Sequence, residues 1–199
     1  MRKSVVFIIF LSLFLNQNIF SQKINIEEDQ VSIEYVKGRE ASLFNPSNVY
    51  TRSKDAKTIV TRVKMKNLNN KKELFDPNKF SLIIENEKVR LRPVDILFKN
   101  FTDWWHFSKV SKTKPSDKKS YHKYNPDIKD TYLDYNKEGI KNFELPINLG
   151  TRKKPEEHIL YFVPKKLRSR GIRMYFILPE NISNGTLYYG NTKIKELEF

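Results

Sequence analysis

Two adjacent tryptophans, Trp104 and Trp105, are the residues of this chain best suited to holding a ligand. Successive side chains on a strand point to opposite faces, so one indole can pack inward while the other stands in solvent. Exposed rings stack on sugars and bases, and Tyr121, Tyr124, Tyr132 and Tyr135 would extend such a platform. Three basic clusters supply the complementary chemistry. Lys109, Lys112, Lys114, Lys118, Lys119 and Lys123 lie in a Ser- and Thr-containing segment; Arg152, Lys153 and Lys154 precede Pro155; Lys165, Lys166, Arg168 and Arg170 follow Pro164. Each falls where a solvated connection is expected, and two of them converging would make an anion-binding face.

Reactive constellations are absent from the sequence pattern. His106, His122 and His158 have no histidine four residues on and no cysteine to join them, so a zinc site would need distant segments. Asp76 and Asn78, around Pro77, could offer calcium two oxygens, but an Asx-type turn explains the same pair. The chain has no Gly-x-Ser-x-Gly elbow, and six glycines form no phosphate-cradling loop. Asp103, Asp127, Asp130 and Asp134 would hydrolyse a polysaccharide or peptide only by meeting in one cleft. The expectation is a chain with no catalytic residue, metal or cofactor.

The elements that must position these groups are mostly strands. Val31, Ile33 and Tyr35 alternate with Ser32 and Glu34; Ile59, Val63 and Met65 face away from Arg62, Lys64 and Lys66. Period two marks a strand with one buried and one wet face. Turn formers at Asn67–Lys72 follow, then a hairpin from Phe80–Ile84 through Glu85–Glu87 to Val89–Arg92. Ile159–Val163 is apolar on both faces and predicts a central strand. Ile172–Leu178, an Asn184-Gly185 turn, Thr186–Tyr189 and Lys193–Phe199 complete seven or eight short strands. Val31–Tyr35 and Lys193–Phe199 are the candidate edges. Between Pro93 and Pro155 the pattern weakens: the Trp104 segment fits a short helix or an irregular strand, and Lys109–Lys129 reads as an exposed, partly mobile excursion.

Thr61–Ile84, TRVKMKNLNNKKELFDPNKFSLII, has the form of a strand, an Asn-rich turn, an Asp-Pro step and a second strand. His158–Lys165, HILYFVPK, and the strand Ile172–Leu178 come later. That order resembles secreted bacterial immunoglobulin-like domains of unknown function. The resemblance covers about half of the chain after the leader and implies a sandwich and an extracytoplasmic habit. It brings no catalytic residues. Lys99–Gly150 departs from it as a long insertion.

The address comes from the start of the chain. Arg2 and Lys3, an apolar run from Val5 to Leu15, and a polar exit over Asn16–Ser21 read as a signal peptide over 1–21. Without cysteine, lipidation and disulfides are closed. The reading is therefore a mainly β, immunoglobulin-like antiparallel β-sandwich over 22–199 with an insertion at about 99–150, exported to the periplasm or beyond. The formal charge is +14, and lysine supplies 27 of the 37 basic residues, as codon bias alone would also give. Anionic envelope glycan, anionic lipid or an envelope protein is the expected partner, rather than nucleic acid. The alternatives are a periplasmic hydrolase with its site on the insertion and a structural subunit of a surface assembly.

Overall fold

The structure, a computed structural model, describes residues 23–41, 54–116, 123–148 and 153–199. The expected leader, Tyr121 and Arg152 lie outside the described residues. The chain runs through β1 (Lys23–Ile26), β2 (Val31–Glu40), β3 (Ala56–Asn67), β4 (Glu73–Phe75), β5 (Phe80–Ile84), β6 (Val89–Leu91), β7 (Asp95–Asn100), β8 (Asp103–His106) and β9 (Lys109–Ser111). It continues through β10 (Lys141–Phe143), β11 (Ile147–Asn148), β12 (Glu157–His158), β13 (Leu160–Phe162), β14 (Lys165–Leu167), β15 (Ser169–Pro179), β16 (Asn184–Tyr189) and β17 (Thr192–Glu198). Two single 3-10 turns, Pro77–Lys79 and Tyr132–Tyr135, are the helical content among the described residues.

A six-stranded sheet has the order β1-β2-β3-β15-β7-β8, and a five-stranded sheet the order β10-β6-β5-β16-β17. Pairing is antiparallel except between β10 and β6, which run parallel. The alternation read from the sequence sorts the faces. In β3, Ile59, Val63 and Met65 are buried while Lys64 and Lys66 are exposed. Ile33, Val63, Met65, Phe98, Met174 and Phe176 from the first sheet share one core with Phe80, Leu82, Leu187, Ile194 and Leu197 from the second. Each fully buried side chain of this size contributes roughly 1.5–3 kcal/mol, so a cysteine-free chain rests on this layer. Phe75 closes one end by stacking on Tyr189, with ring centroids 5.6 Å apart.

Several expectations are corrected. Val31–Tyr35 is not an edge, because β1 pairs with it from Lys23↔Glu34 to Ile26↔Val31. Residues 159–163 do not form a central strand; β13 pairs only with β9. Asn184-Gly185 is no turn but the start of β16. Gly185 packs closely there: a Cβ would lie 2.8 Å from Ile84 Cδ1 and 3.2 Å from the Ile83 carbonyl oxygen. Asp76 makes the expected Asx turn, its Oδ1 accepting from the Asn78 N–H at 2.9 Å.

The segment read as a loose excursion is stitched to the sheets by buried charge. Tyr132, fully buried, lies between two guanidinium groups, with Arg90 Cζ 3.9 Å and Arg92 Cζ 4.4 Å from its ring centroid. Its hydroxyl donates to the Arg90 carbonyl at 2.9 Å, and Arg90 donates back to the Tyr132 carbonyl at 2.9 Å. Arg92 meets Asp130 at 2.6 Å and Glu144 at 2.7 Å, and Lys112 joins the same two acids at 2.9 and 2.8 Å. Burial pushes the Tyr132 phenol up to about 12. Burial opposes ionisation of Asp130 too, but the hydrogen bonds and charges of Arg92 and Lys112 prevail and hold it below the usual carboxylate range. Lys112 is thus no solvated loop lysine. Nor is Lys109, which reaches the fully buried Asp95 at 2.7 Å.

Removing one member of a buried charge set leaves the others unpaired in low dielectric. Asp130→Ala is expected to lower the unfolding free energy by about 3 kcal/mol, measured by urea denaturation. Gly185→Ala is expected to lower the melting temperature through its clash with β5, while Gly139→Ala, with nothing within 4 Å of its Cβ, meets no contact and tests only its φ of +74.

Candidate functional site

The outer face of the six-stranded sheet carries a cleft of about 560 Å³ lined by Val36, Arg62, Val63, Lys64, Lys99, Asn100, Phe101, Trp104, Ser169, Arg170 and Gly171. Cross-strand register builds it. Lys64 sits opposite Glu34 on one side and Gly171 on the other. Lys99 sits opposite Trp104. Gly171 opens the floor between them: a Cβ there would lie 3.5 Å from both Lys99 Cβ and Trp104 Cη2. A register shift between Tyr35 and Lys37 adds an unpaired residue to β2, and Val36, 43% exposed, takes that place at the rim.

The charge of the cleft is one-sided. Among the described residues, Arg62, Lys64, Lys99 and Arg170 are its ionisable lining residues, and no carboxylate lines it. Glu34 approaches Lys64 at 3.4 Å, but Lys64 is 64% exposed, and such surface pairs contribute little. Trp104 does not serve as an open stacking surface. Arg173 Cζ lies 3.9 Å and Arg62 Cζ 5.0 Å from its ring, and the indole packs on the buried cluster of Val60, Leu97 and Tyr175. It acts as a spacer, holding two guanidinium groups by the attraction of its π-face for cations. Trp105 points to the other face of β8 and is 54% exposed, as the adjacency of the two indoles predicts.

The β7–β8 hairpin turns through Phe101 and Thr102 at one end of this cleft. Phe101 is 91% exposed and has φ +54, a left-handed value that tight hairpin turns ordinarily assign to Gly, Asn or Asp.

The other expected contact residues scatter. Lys165 and Lys166 are exposed on β14, with Lys165 Nζ 5.0 Å from the Phe98 ring, and Phe98 pairs with Trp105. Arg168 donates to Asn70 at 3.3 Å. Lys153 and Lys154 are exposed before β12, and Tyr124 bridges to Ser111; none of the three lines the cleft. Tyr132 is the centre of the buried charge set and no part of a platform. Arg170 and Trp104 are therefore the two expected residues that the cleft unites. Arg62, Lys64, Lys99, Gly171 and Phe101 were not singled out as contacts; for the first two, the wet face of β3 was the available signal.

Two further polar groupings bring reactive side-chain types together. His158, buried on β12, has Ser111 Oγ and Thr113 Oγ1 each 2.8 Å from Nδ1, with Glu156 2.8 Å from Nε2. Ser111 is fully buried and also donates to the Thr113 carbonyl, so this array clips β9 to β12 rather than presenting an open nucleophile. A second cleft, about 540 Å³, is lined by Asp29, Asp76, Asp127, Lys79 and Lys129 among others. Of the four acids named for hydrolysis, Asp127 alone lines it; Asp130 belongs to the buried set and Asp134 pairs with Lys129 at 2.7 Å. Among the described residues, no group of three or more His, Asp or Glu is placed to hold a metal ion, and no helix is long and apolar enough to cross a membrane. Comparison with protein-family models, curated proteins and solved structures finds no match for this chain.

Glu156 supplies a pH test of the His158 clip. Hydrogen bonds from the Ser116 hydroxyl and N–H, then His158, hold its carboxyl down to about 2. The unfolded chain would hold it near ~4.3. A folded value below the unfolded one stabilises fully above the unfolded value and is lost as pH falls toward the folded one. The melting temperature of the parent chain should therefore exceed that of Glu156→Gln at neutral pH, and the gap should close between about pH 5 and about pH 2. Thermal scans across that range check it.

Proposed function

We propose that this chain is an exported, non-catalytic domain that binds an anionic component of the cell envelope through the outer-face cleft. In this reading its two sheets form an immunoglobulin-like β-sandwich, with the segment at about 99–150 as an insertion tied to the frame by the Tyr132 charge set. The observation that carries the proposal is the cleft itself: Arg62, Lys64 and Lys99 share its outer face, Arg170 adds to its lining from the next position of β15, and among the described residues no carboxylate lines it. Codon bias adds lysines anywhere on a surface. It does not explain a glycine gap between Lys64 and Lys99 or a tryptophan seated against Arg62 and Arg173.

Arginine and lysine have different tasks here. Arg62, oriented by Trp104, offers a planar fork to phosphate, sulfate or carboxylate, while Lys64 and Lys99 act as point charges. Phosphorylated, sulfated or uronic-acid groups of an envelope glycan or lipid fit that set. A surface assembly through strand pairing is less well supported, because the edge strand β17 carries Lys193, Lys195, Glu196 and Glu198, a charge pattern that blunts pairing between chains.

Binding of a sulfated glycan, followed by calorimetry, tests the site. Lys99→Glu and Arg170→Glu are each expected to weaken it about thirtyfold, since removing and then reversing a charge at such a surface counts at ~1 kcal/mol per step. Gly171→Leu should weaken it comparably by filling the cleft floor. Joint reversal of Lys153 and Lys154, outside the cleft, should leave affinity within about twofold, and loss of binding in that variant alone would place the site elsewhere.

A further inference from the structure

We propose that the β7–β8 hairpin is a membrane-docking finger and that the anionic partner is the surface of an anionic phospholipid bilayer, with Phe101 inserted and the cleft cations on the headgroups. The inference rests on the anion-binding reading of the cleft and names its partner. Phe101 occupies the hairpin tip, 91% exposed, at φ +54. An aromatic residue there gains no burial and sits in a backbone conformation that bulky side chains resist. Neither folding nor packing accounts for it. A ring projected from a rigid hairpin is instead suited to enter an apolar phase.

The surroundings match that use. Trp105, 54% exposed, stands four residues along on the same hairpin, and an indole is at home at the boundary between headgroups and acyl chains. Lys64, Lys99 and Arg170 line the cleft, and Phe101 stands at its end. Lys165 approaches from the other face of β7, over Phe98. An apolar tip with a basic collar is the arrangement by which peripheral proteins combine insertion with attraction to anionic lipid. A glycan lying in the cleft would engage the same cations and meet Phe101 from the cleft side only, whereas a bilayer surrounds a ring that is 91% exposed at the hairpin tip. Charge complementarity alone therefore permits both partners, and Phe101 selects the bilayer.

The chain contains two tryptophans, Trp104 and Trp105, both on β8, so tryptophan fluorescence, excited to the red of tyrosine absorption, reports on this hairpin alone. With the full chain, vesicles containing phosphatidylglycerol should shift the emission to the blue, and brominated lipid should quench it; pure phosphatidylcholine vesicles should do neither. Phe101→Gly relieves the positive φ, so its melting temperature should not fall, yet its partition onto anionic vesicles should drop about tenfold. Lys99→Glu should reduce partition as well.

Sulfated-glycan binding by the parent chain without fluorescence quenching on vesicles would overturn the bilayer assignment while leaving the anion cleft standing. Failure of both would remove the cleft reading too. Vesicle sedimentation without quenching places the contact elsewhere, for example in residues 1–22, and overturns the proposal. So does a Phe101→Gly chain that partitions like the parent.

Discussion

The structure depends on β15 lying between β3 and β7. Its register with β3 runs without a break from Ser169↔Lys66 to Pro179↔Ala56, and Ile172–Tyr175 pairs with Asp95–Phe98 on the other side. A strand hydrogen-bonded along both edges has both faces to fill. Ile172, Met174, Phe176 and Leu178 fill the inner face with core, while Tyr175 joins Val60 and Leu97 under Trp104 on the outer one. The same strand supplies the missing side chain at Gly171 and the guanidinium of Arg173. Core and cleft are consequently two faces of one pairing, and a register slip of one residue would exchange them.

The buried charge set plays a different part. Arg90 and Arg92 emerge from β6 and its extension, and Asp130, Tyr132, Asn142 and Glu144 come from the segment that follows β9. Charges so enclosed are a poor source of net stability compared with apolar packing, because desolvation opposes the Coulomb gain. Their effect is geometric. A Tyr132 ring between two guanidinium groups, with its hydroxyl on the Arg90 carbonyl, fits one placement of the segment, and the parallel pairing of Lys141–Phe143 with Val89–Leu91 follows from it.

These two features explain what could be read in the sequence. The strands from Val31, Ile59, Val89 and Lys193 were legible because apolar residues alternate with polar ones along them, and those from Phe80 and Ile172, buried on both faces, because they are apolar runs closed by turn formers or proline. The 99–150 segment was not, since its acids and their cations are separated by tens of residues and no local pattern records the pairing of Lys112 with Glu144 or of Lys109 with Asp95. The cleft was half legible for the same reason. Trp104 and Arg170 declare themselves by type, whereas the row Lys64, Gly171, Lys99, Trp104 exists only once four strands have been placed in register. Gly171 in particular looks like an unremarkable strand glycine until the residues on either side of it are known.

A cleft that gathers four cations and leans on a fifth, Arg173, is stabilised by little within the fold. Like charges on neighbouring strands repel, and the nearby offsets are the Trp104 ring and the exposed Glu34. The rigid register of β3, β15 and β7 holds the cations together against that repulsion, so an anion bound there, as proposed, would meet a site already organised by folding. Phe101 belongs to the same logic: an exposed aromatic ring and a positive φ are local costs sustained by a well-paired hairpin. Two independent departures from the most stable arrangement, one electrostatic and one conformational, meet at the same cleft, which is where a binding surface would leave its mark on a sequence otherwise committed to packing.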